Sequence, residues 1–267
     1  MQMKIAVITD PHFISPDEPH LEKRNKRLFF ADAWPSFDRL RAKLRLEAPE
    51  LVICLGDMVD WYSKANRDFA VYQLNQLPCP WVSVPGNHDY QSFAEHDGEY
   101  RSVPPHEGRA EVSKGWLEQG IELHNRYIDA GDTGLILLDS ALSEVPLGTK
   151  DWLRSLQGRH RRQLLFTHVP LDLPATREYI LSIDPERNMG KYVQSKAPWV
   201  ARECEKLGVS HVFTGHLHFQ GELQAAGMRM HLLSKAITGL RQPVLHAEAL
   251  ILELGDTVST RRIVLEA

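Results

Sequence analysis

Three short apolar runs, Lys4–Thr9, Leu51–Leu55 and Trp81–Val84, each stop abruptly at polar residues. The stops are Asp10-Pro11-His12, Gly56-Asp57 and Asn87-His88-Asp89. A run that is apolar at nearly every position suits a parallel strand covered on both faces. Between the runs, Phe30, Ala33, Trp34, Phe37, Leu40 and Leu44 recur at helical spacing within Phe29–Leu46, with Pro35 best placed near the first turn. Asp68–Leu77 reads as a second helix that stops before Pro78. Strand, helix, strand, helix, strand predicts a parallel, doubly wound layer. In such layers ligands bind beyond the carboxyl ends of the strands. The pattern therefore brings the three polar stops together.

The rhythm breaks over Gln91–Gln119, a polar stretch with Pro104-Pro105 and little periodicity, read as a lid over the site or a surface insertion. Glu122–Ala130 and Thr133–Leu138, joined by Gly131-Asp132, read as a hairpin. Thr149–Leu156 reads as a short helix, and Gln163–Thr167 as a strand ending at His168. Leu171–Ala197 is a second irregular, charged stretch. Pro198–Leu207 reads as a helix broken by Gly208, and His211–Thr214 as a strand ending at Gly215-His216-Leu217-His218. The tail reads as antiparallel strands over Gln220–Gln224, Met228–Ser234, Ala249–Glu253 and Arg261–Leu265. We take residues 1–267 as one domain, with insertions at 91–119 and 171–197.

Composition is that of an ordinary soluble protein, with 43% hydrophobic and 25% charged residues. A net charge of -4 argues against a protein that tracks nucleic acid on a basic face. Cys54, Cys79 and Cys204 form no CxxC pair, and Cys54 sits within an apolar run, so a reducing compartment and a cytoplasmic location are expected. No stretch approaches the roughly 18 apolar residues of a membrane span.

Five strand-end clusters thus supply carboxylate, imidazole and amide oxygen: residues 10–12, 56–57, 86–89, 167–168 and 215–218. This mixed donor set suits Mn²⁺, Fe²⁺/Fe³⁺ or Zn²⁺. Two such ions about 3.5–4 Å apart can clamp the attacking and leaving oxygens of a phosphate ester. Each cluster alone has an ordinary reading: a Pro11 turn, a helix cap at Asp57, a turn at Gly86-Asn87. Together, in this order, they resemble the calcineurin-like metallophosphoesterase superfamily. The Gly56-Asp57-Met58-Val59-Asp60 and Gly86–Asp89 segments, and the strand end Leu137–Ser140, are similar to its class III cyclic nucleotide phosphodiesterase (Icc-like) branch.

The resemblance implies a four-layer αββα sandwich, two packed mixed β-sheets flanked by helices. It implies that Asp10, His12 and His218 bind one metal, that Asn87, His168 and His216 bind the second, and that Asp57 bridges them. It gives His88 contact with the phosphate and protonation of the leaving group, with Asp89 as the partner of its imidazole. Attack would come from a hydroxide bridging the metals. Homodimerisation is common in that branch. Thr167-His168-Val169-Pro170 departs from the paired histidines of many relatives, leaving His168 as the ligand there.

Small phosphodiesters, including cyclic nucleotides, phosphomonoesters and DNA ends are the substrate classes on such a core. The charge balance counts against DNA ends. Acidic residues outnumber basic ones in 91–119, which leans toward a diester over the more anionic monoester. A binding scaffold that has lost its site would show substituted ligands, and here every ligand position holds a metal-competent residue. Asp60 reads equally as support for the site or as a cap. His96 and His106 in the first insertion, and Arg177, Arg187 and Lys191 in the second, are further candidates for substrate contact.

Overall fold

In the computed structural model, residues 3–97, 99–237 and 247–265 are described. Gly98, in the first insertion, lies outside them. Among the described residues thirteen strands run in chain order: β1 (Met3–Ile8), β2 (Leu51–Cys54), β3 (Trp81–Ser83), β4 (Ser92–His96), β5 (Glu99–Val103), β6 (Arg126–Ala130), β7 (Thr133–Leu138), β8 (Arg162–Thr167), β9 (Val209–Thr214), β10 (Gly221–Ala225), β11 (Met228–Leu232), β12 (Ala247–Leu254) and β13 (Val258–Leu265). One sheet has the order β13-β12-β1-β2-β3, the other β10-β11-β9-β8-β7-β6, and β4-β5 form a separate hairpin.

Side-chain alternation along β1 explains the layering. Ile5 and Val7 join Ile53, Leu250 and Leu252 against Leu135, Leu137, Leu164, Phe166 and Phe213 of the second sheet. Ala6 and Ile8 point the other way, toward Phe37, Leu40 and Leu44 of the Trp34–Glu47 helix and Leu74 of the Lys64–Leu74 helix. The outer face of the second sheet does the same: Ile136, Leu138, Leu165 and Val212 pack on Leu153, Val200 and Cys204 of the Thr149–Ser155 and Trp199–Lys206 helices. The result is the expected four-layer αββα sandwich.

Within it, β1-β2-β3 are parallel, as the apolar runs predict. Pro35 sits in the first turn of its helix, and Ser63 caps the next by accepting from the Asn66 N–H at 3.0 Å. The tail is not wholly antiparallel: β11 pairs parallel to β9, while β12 and β13 are antiparallel and complete the first sheet. The second sheet therefore has a parallel centre, β7-β8-β9-β11, with antiparallel edges.

Neither insertion is irregular. Residues 91–119 form the β4-β5 hairpin and a Pro105–Leu117 helix. Residues 171–197 contain the Pro174–Ile183 and Met189–Tyr192 helices. The buried face of the Pro105–Leu117 helix is Gly108, Val112, Gly115 and Trp116, at helical spacing but half glycine, so it carries almost no apolar periodicity. Glycine is required at Gly115, where a Cβ would collide with the Tyr62 hydroxyl.

Candidate metal centre

The strand ends of both sheets meet at one place. Asp10 and His12 follow β1, Asp57 follows β2, Asn87 and His88 follow β3, His168 follows β8, and His216 and His218 follow β9. Ligand atoms of Asp10, His12, Asp57 and His218 lie within 4.8 Å of one another, as do those of Asp57, His168 and His216. Asp57 belongs to both groups. Its Oδ2 is 3.6 Å from His12 Nε2 on one side and 3.3 Å from His168 Nε2 on the other. Asn87 Oδ1 is 3.3 Å from His168 Nε2.

Tight turns make this convergence possible. Asp10, His12, Asp57, His216 and His218 all have positive φ, at 51°, 43°, 50°, 69° and 61°. Such a backbone is uncommon for residues with a Cβ, and strain of this kind collects at functional sites. Residues two apart on a regular strand face the same side, whereas the turned backbone lets His216 and His218 join different ligand groups. Leu217, between them, is buried. Gly86 is equally constrained, since a Cβ there would strike the Asp57 side chain.

Three imidazoles have one nitrogen committed and the other aimed inward. His12 Nδ1 donates to Asp60 Oδ1 at 3.1 Å, His168 Nδ1 to the Leu55 carbonyl at 2.7 Å, and His216 Nε2 to the Lys191 carbonyl at 3.0 Å. In the neutral rings the inward nitrogens carry lone pairs, the arrangement that second-layer partners impose on metal-ligating histidines. Two pairs face each other closely: His12 Nε2 and His218 Nε2 at 3.0 Å, His168 Nε2 and His216 Nδ1 at 3.1 Å. Converging lone pairs and carboxylates call for cations.

The electrostatics agree. Burial opposes charge on Asp10, yet hydrogen bonds from His12 and His218 hold it well below the usual carboxylate range. Burial also opposes protonation of His12 and His168. The hydrogen bond of Asp10 to His12, and the charge of Asp57 at His168, nevertheless push both up to about 9. His216 is driven down to about 3 by burial and then by His168. The carboxylates thus recruit protons onto neighbouring imidazoles, and bound metal ions would displace those protons. The donor set fits two ions.

Asp89 does not hold the His88 imidazole. Its carboxylate accepts the N–H groups of Met58 at 2.8 Å, Val59 at 3.3 Å and Gly86 at 2.8 Å, which stitches the two metal-facing loops together. Burial, reinforced by Asp57, pushes it up to about 7. Instead His88 Nδ1 donates to the main-chain carbonyl of Asp60 at 2.6 Å, and the His88 N–H donates to Asp57 Oδ1 at 2.8 Å. Asp60 is in turn gripped by Arg27, through Nε to Oδ2 at 2.7 Å and Nη2 to Oδ1 at 2.6 Å. With Arg27 on it, the Asp60, His12 and His88 group is a support for the centre and not a further cation site. Nothing in the sequence near residue 27 signals this contact.

The insertions contribute differently from expectation. His96 and His106 are exposed and face Asp97 and Glu144. Arg177 pairs with Asp172, and Arg187 with Asp184. Lys191 serves through its carbonyl, and the ring of Tyr192 lies 4.8 Å from that of His216. The β4-β5 hairpin walls a cavity of about 770 Å³ that opens beside His88 and Asp60, with Lys23, Arg27, Phe93 and Tyr100 on its sides.

All three cysteines are free, and no helix among the described residues is long and apolar enough to cross a membrane. Residues 3–220 match the model of the calcineurin-like phosphoesterase family. The chain is 26% identical over 243 residues to the 3',5'-cyclic adenosine monophosphate phosphodiesterase CpdA of Escherichia coli K12, covering 86% of this chain and 74% of that one. Among solved structures it is similar to a dimetal phosphatase from Danio rerio, with a TM-score of 0.62, 14% identity and coverage of 99% and 98% of the two chains. It is also similar to a purple acid phosphatase from yellow lupin seeds, with a TM-score of 0.58, 12% identity and coverage of 100% and 54%. The chain belongs to the calcineurin-like phosphoesterase family and is a metal-dependent phosphoric ester hydrolase.

Proposed function

We propose that the chain hydrolyses a small phosphodiester, with 3',5'-cyclic nucleotides as the leading class. The observation that carries the diester reading is the cavity of about 770 Å³ beside His88, since ligand pockets run roughly 300–1,000 Å³. The phosphorus of a diester carries two ester oxygens; in a cyclic nucleotide both belong to one nucleoside, and this space receives that nucleoside with its departing oxygen beside His88. The similarity to CpdA supports cyclic nucleotides within that class.

In this reading Asp10, His12, Asp57 and His218 hold one ion, and Asp57, Asn87, His168 and His216 the other. Bound ions supply positive charge for the phosphoryl oxygens and lower the pKa of water toward neutrality. Asp57 fixes the separation of the two positions because one carboxylate faces both. His88 keeps Nδ1–H on the Asp60 carbonyl, so Nε2 is the nitrogen that carries a transferable proton. It donates that proton to the departing alkoxide. The side chain is 24% exposed, open enough to meet substrate.

The test is turnover of bis-p-nitrophenyl phosphate and p-nitrophenyl phosphate by the purified protein with added Mn²⁺, with His88→Ala as control. Faster diester cleavage, diminished in the control, is expected, followed by cleavage of cyclic AMP. Faster monoester cleavage would replace this reading with a phosphatase on the same centre.

A further inference from the structure

The His88 turn is held from two sides. Toward the centre it is fixed by Asp57 and Asp60. Behind it lies the Pro105–Leu117 helix, which belongs to the first insertion. Trp116, fully buried, donates Nε1–H to the carbonyl of Asp89, the residue next to His88, at 3.1 Å. Tyr90, the last residue of the same turn, is fully buried, and its hydroxyl lies 3.0 Å from the Leu123 carbonyl and 3.2 Å from Asp139 Oδ2. Arg109 of the helix forms an ion pair with that Asp139 carboxylate and lays its guanidinium 4.7 Å from the Tyr90 ring centre. At the far end of the helix, Arg67 Nη1 donates to the Gly115 carbonyl at 2.7 Å and ties it to the Lys64–Leu74 helix.

We infer that this helix is a buttress for proton transfer, with Trp116 and Arg109 as positioning residues that set the direction of His88 without touching substrate. The insertion thus acts from beneath the centre through its helix, while only its hairpin faces the cavity. The inference rests on the reading of His88 as the proton donor. A displacement of about 1 Å at a catalytic group costs on the order of a hundredfold in rate, so a lost backing contact has a measurable effect even where the fold survives.

The experiment uses aryl phosphodiesters graded by leaving group, from bis-p-nitrophenyl phosphate, whose anion departs with little help, to diphenyl phosphate, whose more basic phenoxide depends on a proton. The full-length protein with Mn²⁺ is compared with Trp116→Phe, Arg109→Met and His88→Ala. Metal content and thermal midpoint are measured for each. Trp116→Phe keeps an aromatic ring but removes the N–H donor, and Arg109, partly exposed, offers a milder second lesion. Expected is a kcat loss of about tenfold on diphenyl phosphate and about twofold on the nitrophenyl ester for both buttress variants. KM and bound metal stay unchanged, and His88→Ala shows the same steepening to a greater degree. Equal losses on both esters in the buttress variants, beside a steepened His88→Ala, would overturn the buttress and leave the role of His88 standing. Equal losses in His88→Ala itself would overturn that role and the buttress with it.

Discussion

Arg27 reaches Asp60 across the edge of the cavity and binds both its carboxylate oxygens, at 2.7 and 2.6 Å. That one contact governs two functional histidines. Asp60 uses its side chain for His12 and its main-chain carbonyl for His88. Burial opposes its charge, but hydrogen bonds from His12 and Arg27 hold it below the usual carboxylate range. Asp60→Asn can present an N–H where His12 Nδ1–H needs an acceptor, and so turn the ring or flip its tautomer. Metal affinity is expected to fall roughly 10- to 100-fold, the usual cost of losing such a partner. Arg27→Met should cost less, about 3- to 10-fold, since the guanidinium is partly exposed and water replaces some of it. Calorimetric Mn²⁺ titration of the two variants gives the order. An Arg27→Met loss exceeding that of Asp60→Asn would show that Arg27 does not act through Asp60.

Gly86→Ala tests the tightness of the loops. The added Cβ would strike the Asp57 carboxylate and backbone, and those atoms cannot move without disturbing both ligand groups. Overpacking of this kind costs about 1–3 kcal/mol. The expected result is a folded protein with a lowered thermal midpoint and less than half the bound metal of the wild type. Full metal occupancy would mean that the loop relaxes elsewhere.

The convergence of the polar clusters was legible before the fold because buried parallel strands write themselves as continuous apolar runs, and each run ends at one of those clusters. Gly56, Gly86 and Gly215 marked the turns. What stayed hidden has definite causes. The Pro105–Leu117 helix buries two glycines, so its packing face is nearly silent in hydropathy. The Pro174–Ile183 helix buries only Thr176 and Ile180. Parallel pairing of β11 with β9 depends on a long-range choice of neighbour that no local pattern encodes. Asp89 and Asp60 exchanged roles for a similar reason. Adjacency in sequence favoured Asp89 for His88, while the turn sent its carboxylate to three amides and brought a main-chain carbonyl to the ring instead.

His231 gives a pH prediction away from the centre. It is fully buried on β11 with its ring 4.8 Å from Phe213 and parallel to it, and neither ring nitrogen has a hydrogen-bond partner among the described residues. Burial, then the charges of His211, Arg229 and Arg262, drive it down to about 3. The folded value lies below the unfolded one, near 6.5. Below about pH 6.5 the unfolded chain takes up a proton that the folded chain refuses, so stability falls as pH falls through this window. One such group contributes up to about 1.4 kcal/mol per pH unit. His231→Phe, which keeps the stack, should flatten the fall in thermal midpoint between about pH 6.5 and 5. An unchanged slope would show that His231 is not a source of the acid sensitivity.

Tyr100 tests what the hairpin does for substrate. Its ring stacks on His20 with centroids 3.3 Å apart and on Phe93 at 5.5 Å, and the Lys23 ammonium lies against the Phe93 ring and 4.6 Å from the Trp61 ring. This column ties the hairpin to the Leu21–Lys26 helix and forms one wall of the cavity beside His88. Tyr100→Ala removes the middle of the column, so Phe93 loses its support and the wall loses its shape. No metal ligand is touched. For cyclic AMP the KM should rise roughly five- to tenfold, within the range of ring contacts that anchor a bound group, while kcat stays within about twofold. For bis-p-nitrophenyl phosphate, which makes less use of a shaped wall, both constants should change by less than about twofold. A kcat that fell in parallel on both substrates would place the column among the supports of His88 and remove it from substrate recognition.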